Sequence, residues 1–338
     1  MQRNFLFFSG FIYAIIEQSI EKNFMKAISK CFVCQSTKFR PLYTSPDRMF
    51  NIPGNFVYKQ CVSCGLAFLD PQPDEKTLRK HYPTEHYFAY DKEGKGGVIG
   101  SVREYIIKHI YKPTLLSKVL MSVLNTSFAT PAYRKAGRVL DVGCGTGDML
   151  VLLKDLGWDA YGIDIDKNAI RLAKTRGLTH MRVGTYKDVE QYPDNYFDCI
   201  RLYHVIEHID NPSLCLKILH KKLKPQGELF LCTPNFNSPL QKIFGTYWSA
   251  LDAPRHLYLF TPQTLARPAK QYNFMVTSVT YDSARAFAGS LRYLVNDIMK
   301  RKGKFFGRLP VVLAFYPIEW LLDKMHVGNS FTMVFTKR

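Results

Sequence analysis

Acidic residues are scarce in this chain. Its 338 residues carry 28 Asp and Glu against 46 Lys and Arg, a formal net charge of +18. A surface so poor in carboxylates attracts phosphates, nucleic acid or anionic lipid, and it does not choose among them. Long hydrophobic runs are also lacking. The apolar stretch at 5–16 is too short to span a bilayer as a helix. It follows Arg3 like the core of a signal peptide, yet Glu17-Gln18-Ser19-Ile20-Glu21-Lys22 behind it offers no small-residue cleavage site. The expectation is a cytoplasmic chain with an N-terminal tail over 1–24. A translation start at Met25 is equally compatible, and a tail helix that touches a membrane is a further alternative. A disulfide framework is absent too. Of the eight cysteines, four form two C-x-x-C pairs, and Cys144, Cys199, Cys215 and Cys232 are scattered through apparent core elements. Reduced cysteine packs there as a small apolar residue, which suits a reducing compartment. The length allows two domains or one elaborated domain.

The two pairs are Cys31-Phe32-Val33-Cys34 and Cys61-Val62-Ser63-Cys64, the second followed by Gly65. Thiolates at this spacing on two tight turns converge on one tetrahedral metal, so Cys31, Cys34, Cys61 and Cys64 are expected to hold a structural Zn2+ in a ribbon over 25–75. The alternative is a pair of redox motifs, but neither sits in a thioredoxin-like βαβ pattern. Residues 76–134 read as a connector. It has an aromatic cluster at 81–88, a polar glycine-rich break at 91–97, and helical periodicity over 102–124 with Lys108, Lys112 and Lys118 on the wetter side.

Next comes Val139-Leu140-Asp141-Val142-Gly143-Cys144-Gly145-Thr146-Gly147, a buried strand running into a glycine turn that opens a helix. Alternate glycines let the backbone bend sharply and let a ligand lie against it. A second apolar run ends at Asp164, placed to accept hydrogen bonds from ribose hydroxyls. A dinucleotide site would also carry an acid there. The glycine spacing separates the two, because the dinucleotide fingerprint is G-x-G-x-x-G. Here it is D-x-G-x-G-x-G, and Asp141 beside the ligand would repel pyrophosphate but suit an ammonium group.

These residues resemble motif I of the class I S-adenosylmethionine-dependent methyltransferases, and Gly162-Ile163-Asp164 resembles their second motif. Phe197-Asp198-Cys199-Ile200 is similar to their fourth strand, His204-Val205-Ile206-Glu207-His208-Ile209 to the segment after it, and Leu223-Lys224-Pro225-Gln226-Gly227-Glu228-Leu229 to the turn into the fifth. The resemblance covers roughly 135–282, and the domain is expected over 135–338. Alternating strand-like and helical runs mean an α/β fold, a mostly parallel sheet with helices on both faces. Strands are placed near 138–143, 159–164, 179–183, 197–203, 227–233, 274–281 and 330–336. The resemblance implies a Rossmann-like sheet of seven strands, the last antiparallel. It also implies S-adenosyl-L-methionine as cofactor, held by Asp141, Gly143, Gly145, Gly147, Asp164, Ile165, Thr185 and Tyr203. An acid beyond the third strand often meets adenine in the family, but Gly184-Thr185-Tyr186 stands there, so backbone groups would substitute.

Two segments are candidates for chemistry. His204-Val205-Ile206-Glu207-His208 matches the H-x-x-E-H metalloprotease pattern, but its place in the methyltransferase motif order opposes that reading. The same stretch resembles the part of ubiquinone-pathway O-methyltransferases that binds a divalent ion, with His204 in place of an acid; fixing the strand-end turn is the alternative role. Ala253-Pro254-Arg255-His256-Leu257-Tyr258-Leu259-Phe260-Thr261 resembles a segment of sugar C-methyltransferases that have an N-terminal zinc module. That resemblance makes His256 the candidate general base, with a structural histidine as the alternative, and leaves Arg255 to bind a phosphate or carboxylate of the substrate.

An insert at 284–328 holds Arg285, Arg292, Lys300, Arg301, Lys302, Lys304 and Arg308, then an apolar run at 309–317. Such a pairing reads either as helices lying on an anionic membrane or as a substrate lid. Pro310 and Pro317 are expected to break the longer run. The acceptor is expected to be a small or lipid-linked metabolite, first a sugar intermediate of surface-polysaccharide synthesis, then a quinone-type phenol. A nucleic-acid acceptor is disfavoured, because no Asp/Asn-Pro-Pro-Tyr motif follows the fourth strand. A non-catalytic protein that keeps the cofactor fold and docks partners through its zinc module is the remaining alternative.

Overall fold

The structure is a computed structural model, and it describes residues 25–82, 98–124, 130–134, 136–283, 285–300 and 309–338. The N-terminal tail, most of the aromatic cluster, the polar break at 91–97 and the basic residues 301–308 lie outside the described residues.

Apolar runs that are continuous rather than alternating form the central sheet. Its strands are β6 (Arg138–Val142), β7 (Asp159–Asp164), β8 (His180–Val183), β9 (Phe197–Tyr203), β10 (Leu223–Pro234), β12 (Phe274–Asp282) and β13 (Ser330–Lys337). They lie in the order β12-β13-β10-β9-β6-β7-β8. Strand β13 runs antiparallel to both β10 and β12, and β6 pairs in parallel with β7 and β9. Successive residues point to opposite faces: Val139, Cys199 and Phe230 join one buried cluster, while Leu140, Ile200, Leu229 and Leu231 join the other. Burial on both faces explains why these strands read as unbroken hydrophobic runs. All seven expected strands are present. Only β10 starts well before its expected position, at Leu223, with a register shift between Leu223 and Glu228. The order reverses at β6, since β7 and β8 extend to one side and β9 to the other. A crevice therefore opens at the carboxyl ends of β6 and β9, where open α/β sheets bind ligands.

The N-terminal strands are β1 (Met25–Lys26), β2 (Phe39–Pro46), β3 (Asn55–Cys61), β4 (Ala67–Leu69) and β5 (Gln72–Pro73), with β1 paired to β5. A second sheet has the order β11-β4-β3-β2, and its edge strand β11 (Tyr258–Leu259) comes from the His256 segment. The cysteine-bearing module is thus completed by residues from the far side of the chain. Cys31, Val33, Tyr58 and Leu66 share one buried cluster with Leu140 and Ile200.

The periodicity over 102–124 resolves into two helices, Val98–Lys108 and Leu115–Leu124, which flank Pro113. The insert forms helices Ala286–Ile298 and Leu309–Lys324. Here the expectation fails: the prolines do not break the apolar run. Pro310 falls in the first turn, where its missing N–H costs nothing, and Pro317 sits inside a helix that continues to Lys324. Contacts on its inward side hold that helix in place. Glu319 Oε1 accepts the Phe287 N–H at 2.8 Å, and Phe315 stacks on Phe287 at 3.9 Å.

Candidate active site

The turn after β6 is built on three residues with positive φ, Gly143 at 75°, Gly145 at 53° and Gly147 at 74°. It leads directly into helix Asp148–Asp155. Two bonds shape it: Gly143 N–H donates to Ile163 O at 2.7 Å, and Gly145 N–H to Asp164 Oδ2 at 2.8 Å. Asp164 Oδ1 accepts the Asp166 N–H at 2.9 Å, so backbone N–H groups hold the carboxylate at the edge of the crevice. Asp141 is buried beside the turn. Its Oδ2 accepts from Arg201 Nη1 at 3.2 Å, and its Oδ1 has no hydrogen-bond partner. Burial raises the pKa of both acids, and Asp164 raises that of Asp141 further, against the pull of Arg201. A cationic or hydroxyl-bearing ligand would relieve both.

The rim is apolar and open. Ile165, just beyond β7, is 61% exposed, and Tyr203, at the end of β9, is 42% exposed. Large apolar side chains left open at strand ends suit a flat heterocycle. Thr185 is engaged elsewhere: its hydroxyl caps the helical turn Tyr186–Gln191, accepting from Lys187 N–H and donating to Asp188 Oδ2 at 3.2 Å. Asp188 in turn accepts the Thr185 N–H at 2.7 Å. Asp141, the three glycines, Asp164, Ile165 and Tyr203 therefore gather round one crevice, and S-adenosylmethionine fits their chemistry: an unpaired buried carboxylate oxygen, a glycine cradle and an apolar rim.

A second cluster lies on the loop after β9. His204 takes a left-handed φ of 55° and its Nδ1 meets Glu207 Oε1 at 3.2 Å, while Cys232 Sγ lies 3.7 Å from its Nε2. Burial works against a charge on His204, but Cys232 and Glu207 push its pKa well above the ordinary imidazole value. Burial likewise opposes the Glu207 charge, yet His204 brings that carboxyl down to about 2. Glu207 Oε2 is buried without a partner. His208 Nδ1 donates to Arg255 O at 2.9 Å, and burial together with His256 lowers its pKa to about 4.

His256 arrives from the loop before β11. Its Nδ1 donates to Ala250 O at 2.8 Å, which leaves the Nε2 lone pair as the proton acceptor. That Nε2 stands 3.8 Å from Asp252 Oδ2 and 4.0 Å from Glu207 Oε1, and the His208 ring packs edge-on at 4.6 Å. Glu207, His208 and His256 bring one ligand atom each within 4.8 Å of one another, so this trio could also hold a cation. His204 stands outside the trio. Arg255, expected at the substrate, is engaged elsewhere: it donates to Asp47 Oδ1 and Oδ2 at 2.9 Å each and to Asp252 Oδ1 at 2.6 Å, fully buried. Sequence reading also missed the Arg201–Asp141 pair, for which no local pattern exists.

The four cysteines converge as expected. Cys31 and Cys64 sulfurs lie 3.5 Å apart, as do those of Cys34 and Cys61, and none of the four is in a disulfide. A tetrahedral zinc with its usual bond length needs sulfurs about 3.8 Å apart, so the set fits that ion. Gly65, at φ 80°, donates its N–H to Cys61 O at 2.9 Å and closes the second turn. Among the described residues no helix is long and apolar enough to cross a membrane.

Comparison with known proteins bears on this geometry. The family described as a methyltransferase domain matches residues 115–279. The ubiquinone biosynthesis O-methyltransferase of Xanthomonas oryzae pv. oryzae is 32% identical over 103 residues, 29% of this chain and 43% of that protein. The protein of the same name from Dechloromonas aromatica is 32% identical over 148 residues, 40% of this chain and 63% of that protein. The chain thus spans less than two thirds of the length of these curated relatives. A crystal structure of a SAM-dependent methyltransferase from Archaeoglobus fulgidus superposes with a TM-score of 0.46 at 18% identity, covering 75% of this chain and 100% of that one. The glycine turn and the paired acids of the crevice lie within residues 115–279, the part of this chain that matches a methyltransferase domain and whose chemistry suits S-adenosylmethionine.

Proposed function

We propose that this chain transfers a methyl group from S-adenosylmethionine to a small or lipid-linked acceptor. One observation carries the reading: the glycine turn, the unpaired Asp141 oxygen and Asp164 share the crevice where the strand order reverses. The bound sulfonium supplies the electrophilic methyl group, and the protein must orient the acceptor in line with it and take its proton. His256 suits the second task. Its Nδ1 is fixed by a carbonyl, so Nε2 receives the proton, and Asp252 and Glu207 stabilise the imidazolium that forms.

A sugar intermediate of surface-polysaccharide synthesis is the first choice of acceptor, supported by the resemblance of the His256 segment and by the four-cysteine module. A quinone-type phenol is the second, supported by the names of the curated relatives. The test begins with calorimetric titration of the folded, zinc-loaded protein with S-adenosylmethionine. We expect saturable binding. None would sink the enzyme reading in favour of a docking protein. Turnover with nucleotide sugars and with prenylated catechols then separates the acceptors. His256→Ala should lower turnover about 10²- to 10⁴-fold with cofactor affinity intact. Unchanged turnover would remove His256 as base.

A further inference from the structure

The outward faces of helices Leu115–Leu124 and Leu309–Lys324 run against the rule for surface helices. On the second, the exposed stripe is Leu313, Ala314, Pro317, Ile318, Leu321, Lys324 and Met325, with Leu313 58% and Met325 60% exposed. On the first it holds Leu115, at 81%, with Leu116, Val119 and Val123. Residues at these helical spacings normally carry charge where they meet water. The two helices touch: Tyr316 Oη donates to Val123 O at 2.9 Å and Trp320 Nε1 to Ser122 O at 3.4 Å. Their apolar stripes therefore adjoin, and adjoining exposed apolar stripes mark an interaction surface.

Among the described residues of these two helices and of the segment before the first, the exposed charges have one sign. Lys112 and Lys118 are exposed beside the first stripe and Lys324 lies in the second. Helix Leu115–Leu124 contains no acidic residue. The acids of helix Leu309–Lys324 turn inward: Glu319 is buried on the Phe287 N–H, and Asp323 Oδ1 accepts from Ser283 Oγ at 2.6 Å. A second copy docked here about a twofold axis would set lysines against lysines with no carboxylate between them. We infer that this face docks on an anionic lipid surface, apolar side chains in the acyl boundary and lysines among the headgroups. The helices lie on the bilayer rather than cross it, and the inference stands whatever the methyl acceptor proves to be.

Flotation of the full, zinc-loaded chain with vesicles tests it. Phosphatidylcholine vesicles carrying about one third phosphatidylglycerol should bind the protein, and pure phosphatidylcholine should bind it far less. Lys112→Glu, Lys118→Glu and Lys324→Glu together should lower partitioning onto the anionic vesicles about a hundredfold or more. Leu313→Ser, Leu321→Ser and Met325→Ser together should do the same through lost apolar burial. If the serine set does not fold, the glutamate set decides. Three results would overturn the inference: no binding to anionic vesicles, binding that survives both sets (as it would if the tail at 5–16 were the anchor), or a stable dimer in light scattering that the serine set dissolves.

Discussion

Gly143 sets the tolerance of the crevice at the end of β6. A Cβ there would stand 2.4 Å from Val205 Cγ2, and the φ of 75° is one that side chains avoid. Val205 adjoins His204 and is two residues from Glu207, so a side chain at 143 would displace the loop after β9 as well as fill the cradle. Strain and overpacking of this kind cost about 1–3 kcal/mol each. Gly143→Val should therefore weaken S-adenosylmethionine binding about a hundredfold or more in calorimetry, with the zinc content of the protein unchanged. Normal affinity would mean that the cofactor lies elsewhere. Residues such as Gly143, Asp141 and Asp164 were legible because a strand, its turn and the next strand sit within one short stretch, and each constraint is local. Arg201 and Arg255 were not. Arg201 meets Asp141 from 60 residues away, and Arg255 meets Asp47 from 208 as well as the nearby Asp252; no spacing rule reaches across the longer gaps. Arg255 read as an anion binder because a guanidinium near a loop histidine looks available until its carboxylates are placed.

At the scale of elements, the strands were readable and the insert was not. Strands buried on both faces announce themselves as apolar runs whatever packs on them. The helix Leu309–Lys324 depends instead on tertiary contacts that outweigh Pro317, above all the acceptor role of Glu319 toward Phe287 N–H and Arg285 N–H. Burial pushes the Glu319 pKa up from 4.5 to about 7, with Asp323 and Asp282 adding to the rise against the two N–H donors. The folded state thus binds this proton more tightly than the unfolded chain does. Its contribution to stability is complete below pH 4.5 and is lost as pH rises through about 7. Glu319→Gln keeps an acceptor but cannot ionise. Thermal unfolding across that window should show wild-type stability falling with rising pH more steeply than the variant's. Parallel slopes would mean that Glu319 does not anchor the helix pair.

For the whole molecule, the question is whether the cysteine module and the methyltransferase domain are separate bodies. Three features join them. Strand β11 extends the module's sheet from the His256 segment, the hydrophobic core is shared, and Arg255 binds Asp47 of the module and Asp252 of the domain from a fully buried position. Asp47 is also bonded to His81 Nδ1 at 2.8 Å; burial opposes its charge, but His81 and Arg255 bring its pKa from 3.8 down to about 2. Its contribution is present above pH 3.8 and is lost only as pH falls toward 2, so the junction holds through the physiological range. Removing one partner of a buried ion pair leaves an uncompensated charge and costs about 3–5 kcal/mol, well above the worth of a surface pair. Arg255→Met should lower the urea-unfolding free energy by about that amount. Because the core is continuous, the zinc-loaded protein should unfold in one transition, and stripping the metal should lower the midpoint of the entire chain rather than release a small early step. Two resolved transitions in the wild-type protein, with only the first sensitive to chelator, would show instead that the module folds by itself and that Arg255 merely spans the gap.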